Sequence, residues 1–265
     1  MLPDTETPID ESSRHFRHFM EVVAPTTGRG QVESREGVCL AWGNVPLPFL
    51  NAACLETAVQ DVPDLRRRVA VAAGRGTERG VPWLFVLADD WLPHPVAAEA
   101  EQVMAEFGLV PALTLTGMAA DRLDAPTRVA EALTLREVAG QEAASVLSDL
   151  NCTAYDIDLS IGTASITPRM FDGVVASVGF IGDTPVACSG TLPIDGVLYV
   201  AFVATDPDHQ RRGYAEAVMR HSLGIAEQRF GLTRTTLHAT DAGKPVYLRM
   251  GYRETARFTA YSLPH

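Results

Sequence analysis

Lysine is almost missing from this chain: of 22 basic residues among 265, Lys244 alone is not an arginine, a skew that reads as codon bias and carries no function. Positive charge is short overall. Thirty-three acidic residues leave a net charge of −11, which argues against a general nucleic-acid or anionic-membrane surface while leaving room for a local basic pocket. Cysteine is scarce too. Cys39, Cys54, Cys152 and Cys188 are widely spaced, with no Cys-x-x-Cys and no Cys/His cluster, so neither a disulfide framework nor a structural zinc site is indicated, and the four thiols are read as reduced and mostly buried. No apolar run approaches the roughly 20 residues that span a bilayer. Asp4, Glu6, Asp10 and Glu11 stand where a secretory signal would be cationic, so the expected compartment is the cytoplasm.

What is present is the makings of a large core. Hydrophobic residues are 46% of the chain and charged residues 21%, which excludes disorder. Residues 119–126 hold Asp121, Asp124 and Pro126 without apolar period and read as a linker. After it come a strand at 133–138 and a helix at 141–150. Three strand candidates follow, 173–181, 186–192 and 198–205, joined at Gly182-Asp183-Thr184 and Asp195-Gly196, which makes an antiparallel meander. A helix over 214–230, a strand at 235–239, a short helix at 245–250 and a strand at 255–262 complete the pattern.

The sharpest feature is the junction between the third strand and the long helix, Asp206-Pro207-Asp208-His209-Gln210-Arg211-Arg212-Gly213-Tyr214-Ala215. A glycine at a helix start permits close backbone approach, and the unpaired N–H groups there suit a pyrophosphate, with Arg211 and Arg212 adding local positive charge. The segment lacks the Gly-x-Gly-x-x-Gly spacing and follows a meander, so a dinucleotide-dependent oxidoreductase is disfavoured. Gln210, Gly213 and Ala215 match a Q/R-x-x-G-x-G/A rule. With the downstream run Lys244-Pro245-Val246-Tyr247-Leu248-Arg249-Met250-Gly251-Tyr252, the pattern resembles the GNAT superfamily of acetyltransferases over about 133–263.

That resemblance implies an α/β (α+β) fold, a mixed, mostly antiparallel sheet flanked by helices, and an acyl-CoA-dependent N-acetyltransferase with acetyl-CoA as co-substrate and no metal. The backbone of Val203, Ala204 and Thr205 would pair with the pantetheine arm. Gln210, Arg211, Arg212, Gly213, Tyr214 and Ala215 would hold the pyrophosphate, chiefly by main-chain N–H groups. Tyr247 would assist the departing thiolate, its bland alternative being a core tyrosine. A neutral amine would attack directly, deprotonated through water. No carboxylate lies within 198–205, so the base is open among Asp206, Asp156, Asp158, His209 and His238. Cys152 and Cys188 show no Cys/His/Asp arrangement and are not read as nucleophiles. A non-catalytic CoA-binding or sensory module is the alternative. The partner is a small-molecule amine or a peptide amine, with no nucleic acid and no membrane; monomer and homodimer both stay open.

The first half repeats the motif faintly. Residues 83–87, 95–107 and 109–115 again read strand, helix, strand, and aligning Gly108 with Gly251 sets Met104 opposite Tyr247. Ahead of its helix near 64–73 the chain reads Gln60-Asp61-Val62-Pro63-Asp64, with no glycine and two carboxylates that would repel a pyrophosphate. The expected division is an N-terminal extension and first helix at 1–32, a degenerate GNAT-like domain at 33–118, a linker at 119–130 and a catalytic domain at 131–265, two GNAT-like domains in tandem; chance likeness of two short modules is the alternative. Trp42, Asn44, Phe49 and Asn51 are either a pocket floor or a satisfied core amide with packing aromatics.

Overall fold

Asp195-Gly196 closes a two-residue hairpin with both residues at positive φ (48° and 82°), the backbone that an Asp-Gly pair favours and that suits the twist of the strands it joins. Glu36-Gly37 does the same in the first half (51° and 79°), although that pair is not a strong hairpin signal in a sequence. Around these hairpins the computed structural model, which describes residues 6–126, 130 and 133–264, gathers the chain into two units. Residues 1–5, 127–129, 131–132 and 265 lie outside the described residues, and with them part of the expected N-terminal extension, linker and second domain.

The first unit opens with helix α1 (Pro8–Val23), started by a reciprocal Thr7–Asp10 capping box and a proline in the first turn. Strands β1 (Gln31–Arg35), β2 (Val38–Trp42) and β3 (Asn51–Leu55) form an antiparallel meander. Helix α2 (Val62–Arg79) crosses over to β4 (Leu84–Ala88), parallel to β3. Helix α3 (His94–Glu106) and strand β5 (Val110–Ala120) follow. Leu40, Trp42, Leu65, Val69, Phe85, Leu87 and Met104 are fully buried here, each side chain contributing about 1.5–3 kcal/mol of burial. Asn51 is a satisfied core amide: its Nδ2 donates to the carbonyls of Val45 (2.8 Å), Leu47 (3.2 Å) and Pro82 (2.8 Å), and its Oδ1 accepts the Asn44 N–H (2.9 Å).

The second unit repeats that order. Strand β6 (Thr134–Val138), helix α4 (Gly140–Ala154) and the short helix α5 (Leu159–Ser165) lead into the meander β7 (Val175–Ile181), β8 (Thr184–Ile194) and β9 (Val197–Thr205), with β6 paired antiparallel to β7. Helix α6 (Tyr214–Phe230) crosses over to β10 (Thr235–Ala239), parallel to β9, and helix α7 (Lys244–Arg249) follows. Tyr214 and Val218 of α6 pack on Val186 and Ala187 of β8, and Ser222 ties the helix to the sheet through Ser189 (3.2 Å) and Thr191 (2.9 Å). Meander, crossover helix, parallel strand and second helix thus occur twice, where the sequence shows only the later part of the repeat.

The last strand, β11 (Arg253–Ser262), packs elsewhere than expected. Residues 254–264 belong to the first unit, where β11 pairs antiparallel with β4 from Phe258↔Ala88 to Tyr261↔Phe85, whereas the sequence pattern grouped everything from 131 onward. Local periodicity identifies a strand and its two faces but carries no information about which edge it will join. The chain from Met118 to His238 and from Ala242 to Arg253 makes the second unit, so the last residues of β5 fall there and not in a linker.

Candidate functional site

Strand β9 is longer than the strand beside it. Its registered pairs with β10 are Leu198↔Thr235, Tyr199↔Thr236 and Val200↔Leu237, and none follows Val200, so residues 201–205 carry no registered β10 partner along that edge. Val203, Ala204 and Thr205 all lie on this stretch, and Ala204 and Thr205 are in register with Cys188 and Ala187 of β8 on the other side. The Thr205 Oγ1 is buried and has no hydrogen-bond partner among the described residues. A strand edge without a neighbour is a template for an extended ligand, and a buried orphan hydroxyl is costly unless something binds it.

Beyond β9 the chain turns through a 3-10 turn, Pro207–His209, into Gln210, Arg211, Arg212 and Gly213. Arg211 (φ 63°) and Gly213 (φ 82°) are both left-handed, and alternating handedness turns successive N–H groups toward one side. Gly213 is the N-cap of α6 and supplies no side-chain cap, while Tyr214 turns its ring into the core and contributes backbone alone. Nothing lies within 4 Å of where a Gly213 Cβ would stand, so the cradle is open in front of it. Gln210, Arg211 and Arg212 are exposed and Ala215 is half-buried; Arg212 donates to the Asp208 carbonyl (3.1 Å). This is the constellation expected of an anion-holding helix start.

Tyr247 sits on α7, 8% exposed, with its ring edge-on to Tyr252 at 6.0 Å. Burial, with Tyr155 and Tyr252 nearby, pushes its phenol well above the ordinary tyrosine value, so it remains a protonated donor. Tyr155, at the end of α4, lies within electrostatic reach of both Tyr247 and Cys188, which places the phenol in the same quarter as the β8–β9 ladder.

The candidate bases have other work. Asp206 accepts the Asp208 N–H (2.9 Å) and the Nδ1–H of His209 (3.0 Å), so both shape the loop. Asp158 caps α5 by accepting the Ser160 N–H (2.8 Å), and Asp156 is a left-handed turn residue. His238 on β10 is bonded through Nδ1 to the Tyr199 hydroxyl (2.9 Å). All four cysteines are free and buried. Among the described residues no group of three His, Cys, Asp or Glu side chains is placed to hold a metal, and no helix is long and apolar enough to cross a membrane.

The matching helix start in the first unit is built differently. Asp61 caps α2 by accepting the Asp64 N–H (2.8 Å). The buried Asp64 carboxylate accepts the Gln60 N–H (3.1 Å) and pairs with Arg68 (2.9 Å) and Arg67. Burial alone would raise the Asp64 pKa, but those bonds hold it below the usual carboxylate range. Here the chain's own carboxylates stand where the second unit leaves an opening.

The sequence profile of the acetyltransferase (GNAT) family matches residues 152–252. Residues 152–252 belong to the GNAT family. No curated protein matches the chain. Among solved structures, a GCN5-related N-acetyltransferase from Kribbella flavida is 19% identical, covers 94% of this chain and 95% of its own, and superposes with a TM-score of 0.68. One from Sphaerobacter thermophilus is 12% identical over 100% of this chain and 98% of its own, at 0.59. A tandem GNAT protein from the clavulanic acid biosynthesis pathway is 12% identical over 85% of this chain and 77% of its own, at 0.54. At these identities the likeness is one of fold: a mixed sheet flanked by helices, in GNAT arrangement.

The sequence gives no place to Asn151, whose Nδ2 donates to the Phe202 carbonyl (3.3 Å), or to the left-handed backbone at Phe202 (φ 54°). The one trace they leave is an asparagine in the last turns of a helix, where it is a poor helix former.

Proposed function

We propose that the protein is an N-acetyltransferase that takes an acetyl group from acetyl-CoA to an amine by direct attack, using one coenzyme site per chain. The observation that carries the reading is the continuity of the open β9 edge at 201–205 with the uncapped, left-handed approach to α6 at Gly213. Acetyl-CoA supplies the activated thioester. The extended edge from Val203 to Thr205 would bind the pantetheine amides as an added strand, with the orphan Thr205 hydroxyl alongside, and the N–H groups from Gln210 to Ala215 would receive the pyrophosphate, with Arg211 and Arg212 neutralising its charge.

A neutral amine, having lost its proton through water, would attack the carbonyl polarised by backbone N–H at Val203. Tyr247, kept protonated by burial, would donate to the departing sulfur. The carboxylates of Asp61 and Asp64 block an equivalent anion site in the first unit, which supports a single equivalent and a scaffolding role for that unit. The overall acidity favours a cationic acceptor, with small-molecule amines ahead of nucleic-acid-bound ones, and the predicted compartment is the cytoplasm.

Calorimetric titration of acetyl-CoA tests the site. The expected result is saturable binding near one equivalent, abolished in Gly213→Asp, which puts a side chain on a left-handed residue and a carboxylate in the cradle. Two equivalents would overturn the reading of the first unit; no binding by the unaltered protein would overturn the coenzyme assignment. A second reading, a non-catalytic coenzyme-binding module, is favoured by the absence of a carboxylate from β9. It predicts binding without amine-dependent thiol release.

A further inference from the structure

The ladder between β8 and β9 is broken at one place. Gly190 is in register with Ala201 and Cys188 with Ala204, so Ser189 alone opposes two residues, Phe202 and Val203. Phe202 is left-handed at φ 54°, a conformation an aromatic residue seldom adopts and keeps only where its surroundings impose it. The surroundings are visible. A Cβ on residue 190 would stand 3.1 Å from Phe202 Cδ2, so Gly190 makes room for the ring, and Phe171 packs against it with centroids 5.5 Å apart.

The Phe202 carbonyl is held as well. Cys188 Sγ donates to it at 3.2 Å and Asn151 Nδ2 at 3.3 Å, while a shorter bond from that amide anchors Asn151 to its own helix at the Leu147 carbonyl (2.8 Å). In a trans peptide the N–H points opposite to the C=O of the same plane. With the Phe202 carbonyl turned to α4 and Cys188, the Val203 N–H is therefore directed away from both. It lies on the stretch of β9 that has no β10 residue in register.

We infer that Asn151 and Cys188 are positioning residues: by gripping the Phe202 carbonyl they fix the 202–203 peptide in its turned orientation, so that the Val203 N–H is presented to the thioester carbonyl of acetyl-CoA. The inference rests on the acetyl-CoA reading and adds to it the two side chains that set the geometry of the polarising donor. Burial pushes the Cys188 thiol up to about 12, so it stays a protonated donor throughout the neutral range and is not a nucleophile in waiting. Asn151 and Cys188 come from α4 and β8, 37 residues apart, and meet at 3.5 Å, so the grip joins helix to sheet at the point where the strand bends.

The experiment compares acetyl-CoA with CoA, which shares the pyrophosphate and pantetheine but has no carbonyl. Both are titrated into the unaltered protein, Asn151→Leu, Cys188→Ala and Cys188→Ser, and exchange of the Val203 amide is followed with and without each ligand. The expected result is a loss of about three- to tenfold in acetyl-CoA affinity for Asn151→Leu, with CoA affinity within twofold. Cys188→Ala should lose less, and Cys188→Ser, which still donates, should recover it. Acetyl-CoA should slow Val203 exchange in the unaltered protein and fail to do so in Asn151→Leu.

Equal weakening of both ligands together with a lower unfolding midpoint would overturn the inference in favour of a purely structural role. Unchanged affinity for both in Asn151→Leu and Cys188→Ala would overturn it outright. Failure of the unaltered protein to bind either ligand would instead overturn the coenzyme reading itself, and the inference with it.

Discussion

Tyr247 separates two uses of the same phenol. A tyrosine that serves packing loses little when its hydroxyl is removed, because the ring keeps its edge-on contact with Tyr252. A proton donor loses its chemistry. Tyr247→Phe is therefore expected to lower kcat for amine-dependent thiol release by about 10²-fold or more while leaving acetyl-CoA affinity within twofold, as steady-state kinetics beside calorimetry will show. The sign of its pH dependence follows from burial. In the proposed mechanism the neutral phenol is the active form, and burial holds its pKa above the ordinary value near 10, so the unaltered protein should hold its rate through the pH range in which an exposed tyrosine would ionise.

Positions whose part is backbone shape are legible in the sequence because glycine and proline announce it. Gly213, Asp195-Gly196 and the segment from Gln210 to Ala215 fall where the pattern puts them. The hold of Asn151 on the Phe202 carbonyl is not legible, because a hydrogen bond between α4 and a carbonyl 51 residues away leaves no local signature.

At the scale of elements, helix α2 holds two glycines with opposite demands. Gly74 is exposed and nothing lies within 4 Å of its would-be Cβ; Gly76 is buried, and a Cβ there would run into the Trp83 indole. Helix propensity favours alanine at both positions by about 1 kcal/mol, but a rigid ring cannot give way, and overpacking costs about 1–3 kcal/mol. Thermal melts should show Gly74→Ala raising the midpoint and Gly76→Ala lowering it. Periodicity placed α6 at its full extent and brought the strands of the second unit within a few residues of their observed bounds. It showed less of the first unit, where β1 is short and Glu36-Gly37 stands in place of a stronger turn signal. The bulge in β9 was invisible, since one extra residue in a strand leaves the apolar composition intact.

For the molecule as a whole, the path of β11 decides what can be cut. A fragment of residues 131–265, the division that the sequence pattern suggests, would carry β11 without β4, baring Phe258, Ala260 and Tyr261, which are buried in the complete chain. An unpaired strand edge with an apolar face invites association. Size-exclusion chromatography should show the full chain as a discrete species and this fragment as aggregate; a monodisperse, folded fragment would contradict the assignment of β11 to the first unit.

The same strand sets an order of events in the living cell. Most of the first unit is made before the second, yet β4 has to wait for a neighbour encoded well over a hundred residues later. At about 5–20 residues per second, the interval between Gly117 and β11 is of the order of ten to thirty seconds. The unit begun first is thus completed only when β11 has been made.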